Sequence, residues 1–302
     1  MNNEVKRDSD VLQAFIFDGT DIHGKIVLLE NSYQQALAHQ QLPPIAKYQL
    51  GEFLAAVSLI AAGLKFEGLV TLQARGNGPI PLIMAEADSL GHVRGIVKFS
   101  EHHPADALAD VQVADLPDLI GKGVLSLTLD PTKGERYQGI VPLDQANLSL
   151  CLGEYFERSA QVPTLIRLYA DDKRSGGLLI QALPVQEERD EAKRRESWDT
   201  VCQLAATLTQ EETLTLDHQQ VLYRLFNEMP CRTYPGKVVH FKCSCSRERS
   251  SNAMLSIGKN EALALLQQVN PITVDCEFCG QRYAFYEADI EELFVGQGDH
   301  PH

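Results

Sequence analysis

Residues 241–249 read FKCSCSRER and residues 274–285 read VDCEFCGQRYAF, so Cys243, Cys245, Cys276 and Cys279 stand as two close pairs with 30 residues between them. Zinc prefers a tetrahedral shell and takes thiolates readily, and two chelating turns supply four of them from a hairpin-like frame. Gly280 follows the second pair and permits the tight backbone that such a knuckle needs. Four free cysteines in a small core would not require pairing on both sides. A site closed by four sulfurs leaves no open position for water or substrate, which argues against zinc hydrolysis.

Working outward, the spacing predicts a compact module over 236–295. It has a strand-like Lys237–Lys242, a helix capped by Asn260 and running through Gln268, a short strand Arg282–Tyr286, and a last amphipathic turn at Ile290, Leu293 and Phe294. A module of this size buries too little apolar surface to stand alone and needs a staple. The tail, 296–302, reads as flexible. Two roles fit the cysteines: a structural zinc ribbon, or a thiol switch clamped by the metal in its reduced state. The CxC pair favours the switch, because ordinary ribbons use CxxC turns on both sides and close pairs can oxidise without long-range movement. Zinc-held sulfurs are thiolates, the form that peroxide and hypochlorous acid attack. Losing them would withdraw roughly 10–16 kcal/mol of coordination free energy from the module.

Upstream, the stretch 186–199, QEERDEAKRRESWD, is dominated by charge, and Val201, Leu204, Ala205 and Leu208 follow at helical spacing. A second helix is expected near Asp217, with Val221, Leu222, Leu225 and Phe226 on one side, ending at Pro230 and Pro235. This predicts a helical linker over 185–235, the alternative being a helix packed on the first domain. In the reduced state the stripe Val201, Leu204, Ala205, Leu208 should be covered. Residues 1–184 alternate strands and turns: Val11–Phe17, Gly24–Glu30, Leu69–Ala74, Ile80–Glu86, Val93–Phe99, Val124–Leu129, Gly139–Leu143, Leu165–Tyr169 and Gly177–Leu183. Ser32 is a plausible N-cap for a helix through His39, and Lys47–Leu64 reads as a buried helix. The expectation is an α+β N-terminal domain with an antiparallel sheet, a helical linker and a small zinc-binding C-terminal module.

The composition narrows the function. Across 302 residues, Lys+Arg of 27 against Asp+Glu of 41 gives a net charge of −14, which argues against coating nucleic acid or docking on an anionic membrane. The longest apolar run, Phe53–Leu64, is too short to span a bilayer. The N-terminus has neither the apolar core nor the cleavage site of a secretory signal, so a cytoplasmic address with reduced thiols is expected. Cys151, Cys202 and Cys231 are unpaired in sequence and read as small buried residues. His240 competes weakly as a ligand, and Glu101-His102-His103-Pro104 reads as a solvated turn. Gly121-Lys122-Gly123 and Gly258-Lys259-Asn260 lack the glycine pattern of a phosphate loop. The flanks of Cys276-x-x-Cys279 show no βαβ frame of the thioredoxin kind.

The CxC…CxxC module, the charged helical linker and the α+β first domain together resemble the 33-kilodalton redox-regulated heat-shock chaperone family of bacteria. The distinctive stretches are the two cysteine segments, QARGNGPIPLIMAEA (73–87) with GHVRGIV (91–97), ERYQGIVPL (135–143) and YFERSAQVPT (155–164). One departure is Ala160, where the family often carries an acidic residue. The resemblance implies a holdase that binds unfolding client proteins without ATP, is not an enzyme, and forms a homodimer when oxidised and active. It implies one zinc ion per chain in the reduced form, held by Cys243, Cys245, Cys276 and Cys279. It further implies that oxidants release zinc and form the disulfides Cys243–Cys245 and Cys276–Cys279. Two rivals remain from the residues themselves. A zinc-ribbon nucleic-acid module would use Lys237, Lys242, Arg247, Arg249, Lys259 and Arg282, against the whole-chain charge. A thiol oxidoreductase would turn over dithiol substrates.

Overall fold

The computed structural model describes residues 8–65 and 67–295, and its chain divides into two compact units between Lys242 and Cys243. The first unit begins with the strands β1 (Val11–Phe17) and β2 (Ile22–Leu29), followed by the helices α1 (Asn31–Leu37) and α2 (Pro44–Ala61). Next come β3 (Gly68–Gly76), β4 (Leu82–Asp88), β5 (His92–Lys98), α3 (Leu116–Ile120), β6 (Gly123–Pro131) and β7 (Tyr137–Pro142). Then α4 (Leu148–Tyr155) leads through a π turn over 156–160 to β8 (Thr164–Ala170) and β9 (Ser175–Ala182). The helices α5 (Glu191–Ala206), α6 (Gln210–Thr215) and α7 (His218–Phe226) follow, and three very short strands close the unit: β10 (Cys231–Thr233), β11 (Lys237–Val238) and β12 (His240–Phe241).

Two six-stranded sheets result. One runs β10-β1-β2-β9-β8, with β11 also on β1; the other runs β12-β5-β4-β3-β6-β7. Pairing is antiparallel throughout except for β12 on β5. This matches the antiparallel expectation, since turns rather than crossover helices join most neighbours.

Helix α2 packs against strands of both sheets, which is why it is apolar on nearly every side. It starts at Pro44, not Lys47, because a proline fits the first turn, where its missing N–H goes unused. Along β2 the period of two sends Val27 and Leu29 to the α2 core, while Ile22 and Ile26 face away. That second face is covered in turn. Phe15, Phe17, Ile22, Ile26, Leu178 and Ile180 form one core with Val201, Ala205 and Leu208 of the α5 segment and with Val221, Leu222, Leu225 and Phe226 of α7. The linker helices therefore pack on the first unit's sheet. Gly24 makes room for this arrangement: a Cβ there would lie 2.2 Å from the Phe15 ring.

Three local expectations are corrected. Ser32 does not cap α1; its amide and hydroxyl both donate to the Asp10 carboxylate, which also accepts the amides of Glu30 and Asn31. Asn260 does not cap the second unit's helix, because the chain enters at Lys259 from Gly258, whose positive φ of 86° turns it in. The strand-like 237–242 segment does not belong to the cysteine module; its two short strands extend the sheets of the first unit, and the second unit begins at Cys243.

The second unit comprises α8 (Arg247–Ile257), α9 (Lys259–Leu266), the hairpin β13 (Ile272–Asp275) and β14 (Arg282–Phe285), and α10 (Glu287–Leu293). Its core is Met254, Ala262, Leu266, Ile272, Phe285 and Ile290, six residues of which only Phe285 is aromatic. Residues 296–302, read from sequence as a flexible tail, lie outside the described residues.

Candidate metal centre

The cysteines sit where two local structures end. Cys276 and Cys279 lie in the turn between β13 and β14, whose register pairs Asp275 with Arg282 and Val274 with Tyr283. The Cys276 amide donates to the Gln281 carbonyl at 2.9 Å and the Gly280 amide to the Cys276 carbonyl at 2.8 Å. Gly280, at φ 68°, supplies the left-handed residue that closes the knuckle. Asp275 and Arg282 clamp its mouth with two contacts of 2.7 Å. Cys243 and Cys245 lie just before α8, where the Ser246 hydroxyl caps the helix by accepting the Arg249 amide at 3.1 Å. Arg249 reaches back to the Ser244 carbonyl and hydroxyl at 3.0 and 2.8 Å, fixing the residue between the two sulfurs.

Arg247 ties the start of α8 to the hairpin. It donates to the Ala284 carbonyl at 2.8 Å, pairs with Asp289 at 2.7 Å and lies 4.6 Å from the centre of the Phe285 ring. Arg247, Arg249 and Arg282, candidates for a nucleic-acid face, are thus engaged inside the module.

These elements bring all four predicted sulfurs within 4.8 Å of one another. Cys243 Sγ is 3.5 Å from Cys276 Sγ, and Cys245 Sγ is 3.4 Å from Cys279 Sγ. A tetrahedron with zinc–sulfur bonds of about 2.3 Å has edges of about 3.8 Å, so the observed spacings bracket the value a bound zinc needs. Hydrogen-bond donors surround the sulfurs. The amides of Phe278 and Cys279 face Cys276, the amide of Gln281 faces Cys279, and the Tyr283 hydroxyl donates to Cys245 at 3.2 Å.

Burial pushes the Cys279 thiol up to about 12 and raises Cys276 as well. Crowded sulfurs without a cation therefore hold their protons, and a divalent cation is the group that would turn them into four compatible thiolates. The Tyr283 hydroxyl is pushed up to about 12 by its bond to Cys245, so it keeps its proton and remains the donor.

The other candidates fall elsewhere. Cys151 is buried in α4, and Cys202 and Cys231 are half-buried in the first unit; burial pushes each of the three thiols up to about 11. His240 is exposed on β12, opposite His92, and is not in the sulfur cluster. Glu101, His102 and His103 lie exposed in a turn after β5, and no metal-binding group forms there among the described residues. Tyr283 was not singled out from sequence, and Arg249 only as a nucleic-acid candidate, because their contacts depend on the hairpin register and on the CxC turn. No described helix is long and apolar enough to cross a membrane.

Comparison with known proteins agrees with this architecture. A family model described as "Hsp33 protein" matches residues 10–286. A protein named 33 kDa chaperonin from Pseudomonas fluorescens (strain Pf0-1) is 47% identical over 293 residues, covering 96% of this chain and 95% of the relative. One of the same name from Pseudomonas aeruginosa (strain UCBPP-PA14) is 46% identical over 292 residues, covering 96% of each. The crystal structure of the 33 kDa chaperonin of Thermotoga maritima superposes with a TM-score of 0.77 at 25% identity, over 95% of this chain and 99% of that one.

Proposed function

The chain belongs to the Hsp33 family and is a redox-regulated chaperone, and on that premise we propose that Cys243, Cys245, Cys276 and Cys279 are its switch, holding one zinc ion per chain in the reduced state. The observation that supports this most directly is four sulfurs within 4.8 Å, approached by amide and hydroxyl donors. Those four sulfurs would hold the ion, and its charge would let them stand together as thiolates.

The residues do the rest. Oxidation pairs Cys243 with Cys245 and Cys276 with Cys279, as the family resemblance implies, and removes the ligand set. A core of six buried apolar residues among the described ones then lacks its staple, and the module loses its fold. Residues 243–295, the expected module of 236–295 without its lead-in strands, are the switch region, 185–235 a cover, and 1–184 the body of the chaperone. The active form holds unfolding proteins without ATP and without turnover, as a homodimer, in the cytoplasm.

The test is metal content before and after peroxide, measured alongside light scattering of a heat-denatured client. Expected is one zinc per reduced chain, released as client holding begins. In the unsubstituted chain, holding that begins with zinc still bound and the four thiols intact would overturn the proposal, as would steady turnover of a dithiol substrate.

A further inference from the structure

Strand β7 ends the second sheet and pairs on one side only, with β6. The Leu143 amide donates to the Gly123 carbonyl at 3.1 Å, and the register sets Val124 opposite Pro142. Hydrogen-bonded pairs alternate along an antiparallel ladder, so Tyr137, Gly139 and Val141 bond to β6 while Gln138, Ile140 and Pro142 turn their backbone outward. Pro142 has no N–H to offer, and an outward position on an edge strand is where a proline fits. The amides of Gln138 and Ile140 and the carbonyls of Gln138, Ile140 and Pro142 thus line one edge, without a hydrogen-bond partner among the described residues.

Proteins protect long edges with charge, a bulge or a covering element. Residues 137–142 carry no charge and pair without a bulge. The other long edge strand, β8, has α4 and α6 packed against it. On β7, Ile140 is 57% exposed and shares its face with Pro142 and with Val124 of β6, itself 42% exposed. On the opposite face the Tyr155 ring presses on Gly139, where a Cβ would meet it at 2.3 Å, so the strand is seated firmly with its edge outward.

We propose that β7 is a docking strand for clients: an extended segment of an unfolding polypeptide adds to the sheet beside it. Its backbone pairs with Gln138, Ile140 and Pro142, and one of its apolar side chains lies on the patch of Ile140 and Val124. Given the holdase reading above, on which this rests, the groups on the edge name the occupant. Backbone N–H and C=O are common to every unfolded chain whatever its sequence, which suits a protein that holds unrelated clients. Edge bonds compete with water and are individually modest. In the reduced state, with the sheet face beneath α5 and α7 covered, the edge alone grips weakly. Once that face is free, one client is held at two places, and the second contact forms at high effective concentration.

The experiment uses oxidised full-length protein and heat-unfolding citrate synthase, with hydrogen exchange read residue by residue after electron-transfer fragmentation. Without client, the Gln138 and Ile140 amides should exchange faster than those of Gly139 and Val141; with client they should slow by about tenfold or more. Gln138→Pro and Ile140→Pro each delete one outward donor and leave the ladder to β6 in place. Each lost bond is worth about two- to tenfold in affinity, so the double variant should need about five- to a hundredfold more protein to half-suppress client aggregation. Ile140→Thr, which keeps the N–H, should lose less than Ile140→Pro.

Exchange at 138 and 140 that is the same with and without client would overturn the inference and leave the holdase standing, as would proline variants that hold client like the wild type. Equal losses in Ile140→Thr and Ile140→Pro would overturn it too, because the side chain and not the backbone would then carry the contact. Should the double variant fail to fold, exchange in the wild type decides. Protection of both amides on oxidation alone, before client is added, would give the edge to a second copy of the chain and overturn the client assignment. An oxidised wild type that holds no client would remove the holdase reading and the docking strand together.

Discussion

Replacing Phe226 by alanine should switch the chaperone on with its zinc in place. Phe226, at the end of α7, is 2% exposed and meets Phe17 edge-on at 4.9 Å and 85°, with Phe15 at 6.3 Å. It fills the seam between the linker helices and the sheet face formed by Phe15, Phe17, Ile22, Ile26, Leu178 and Ile180. Truncating a fully buried phenylalanine costs about 3–5 kcal/mol through lost transfer energy and the cavity left behind. Because the helices on this seam are short and individually marginal, that cost falls on linker docking, and each ~1.4 kcal/mol is a factor of ten in an equilibrium. The linker should therefore open roughly a hundredfold to a few thousandfold more often.

Hydrogen exchange should show 191–226 unprotected while β8 and β9 stay protected, and metal analysis should still find one zinc. Without oxidant, the reduced variant should then suppress aggregation of a heat-unfolding client. Leu204→Asp should act in the same direction but less strongly, since Leu204 is only half-buried at the edge of this core. If the amides of 191–226 exchange freely and the zinc-loaded variant still fails to hold client, linker release does not create the client surface. If exchange there does not change, the packing argument itself is wrong.

Cys151→Ser, Cys202→Ser and Cys231→Ser should each keep full zinc stoichiometry, whereas Cys243→Ser should lower zinc affinity by at least tenfold by competitive chelation; loss of metal in any of the first three would reassign the ligands. Asp21 accepts the amides of Gln186 and Glu187 at 3.0 and 2.8 Å and faces Arg194, so Asp21→Ala should cost about 1–3 kcal/mol and raise exchange over 184–194. His218 is 1% exposed with neither ring nitrogen hydrogen-bonded, and burial brings its pKa down to about 4 despite the neighbouring carboxylates of Asp8 and Asp217. The folded state thus keeps the ring neutral while the unfolded chain takes up a proton below about pH 6.5, so stability falls as pH drops from there toward 4, by up to ~1.4 kcal/mol per unit. Urea midpoints at pH 7.5 and 5 should show this loss for wild type and a smaller one for His218→Leu; equal losses would remove His218 as the cause.

Much of this was legible in the sequence because it is local. β1 reads as a strand over Val11–Phe17 because a short apolar run ends at the Asp18-Gly19 turn, and α2 reads as buried because it is apolar on most sides. The four sulfurs announce themselves by spacing. What was not legible depends on partners far along the chain. β10, β11 and β12 are two or three residues each, too short for any periodicity, and they exist because β1 and β5 offer edges more than 140 residues away. Helix α8, RERSSNAMLSI, buries only Ser251 and Met254 and shows no clear stripe. The bond from Tyr283 to Cys245 needs both the hairpin register and the CxC turn before it can be seen.

The short strands also show how two separate devices are joined. The apolar seam under α7 ends near Phe226, the sulfur cluster begins at Cys243, and the chain between them is laced to sheet edges. The Tyr234 amide donates to the Ala14 carbonyl, Val239 to Asp10, His240 to Gly91 and Lys242 to Val93, at 2.8, 2.8, 2.8 and 3.1 Å. Such edge bonds are individually modest and open to water competition. From 231 to 242 nearly every side chain is exposed or half-exposed; Val239, at 3%, is the one fully buried in the α2 core, with Phe241 packed half-buried against it. Burying one valine fully and one phenylalanine in part is worth about 2–4 kcal/mol, less than the coordination energy on one side and less than the whole aromatic seam on the other. A strap anchored at Val239 and in part at Phe241 resists fraying while the cysteine end is folded. It adds little resistance once that end is free, so chemistry at Cys243 can loosen the chain that leads back to Phe226 without first breaking either core.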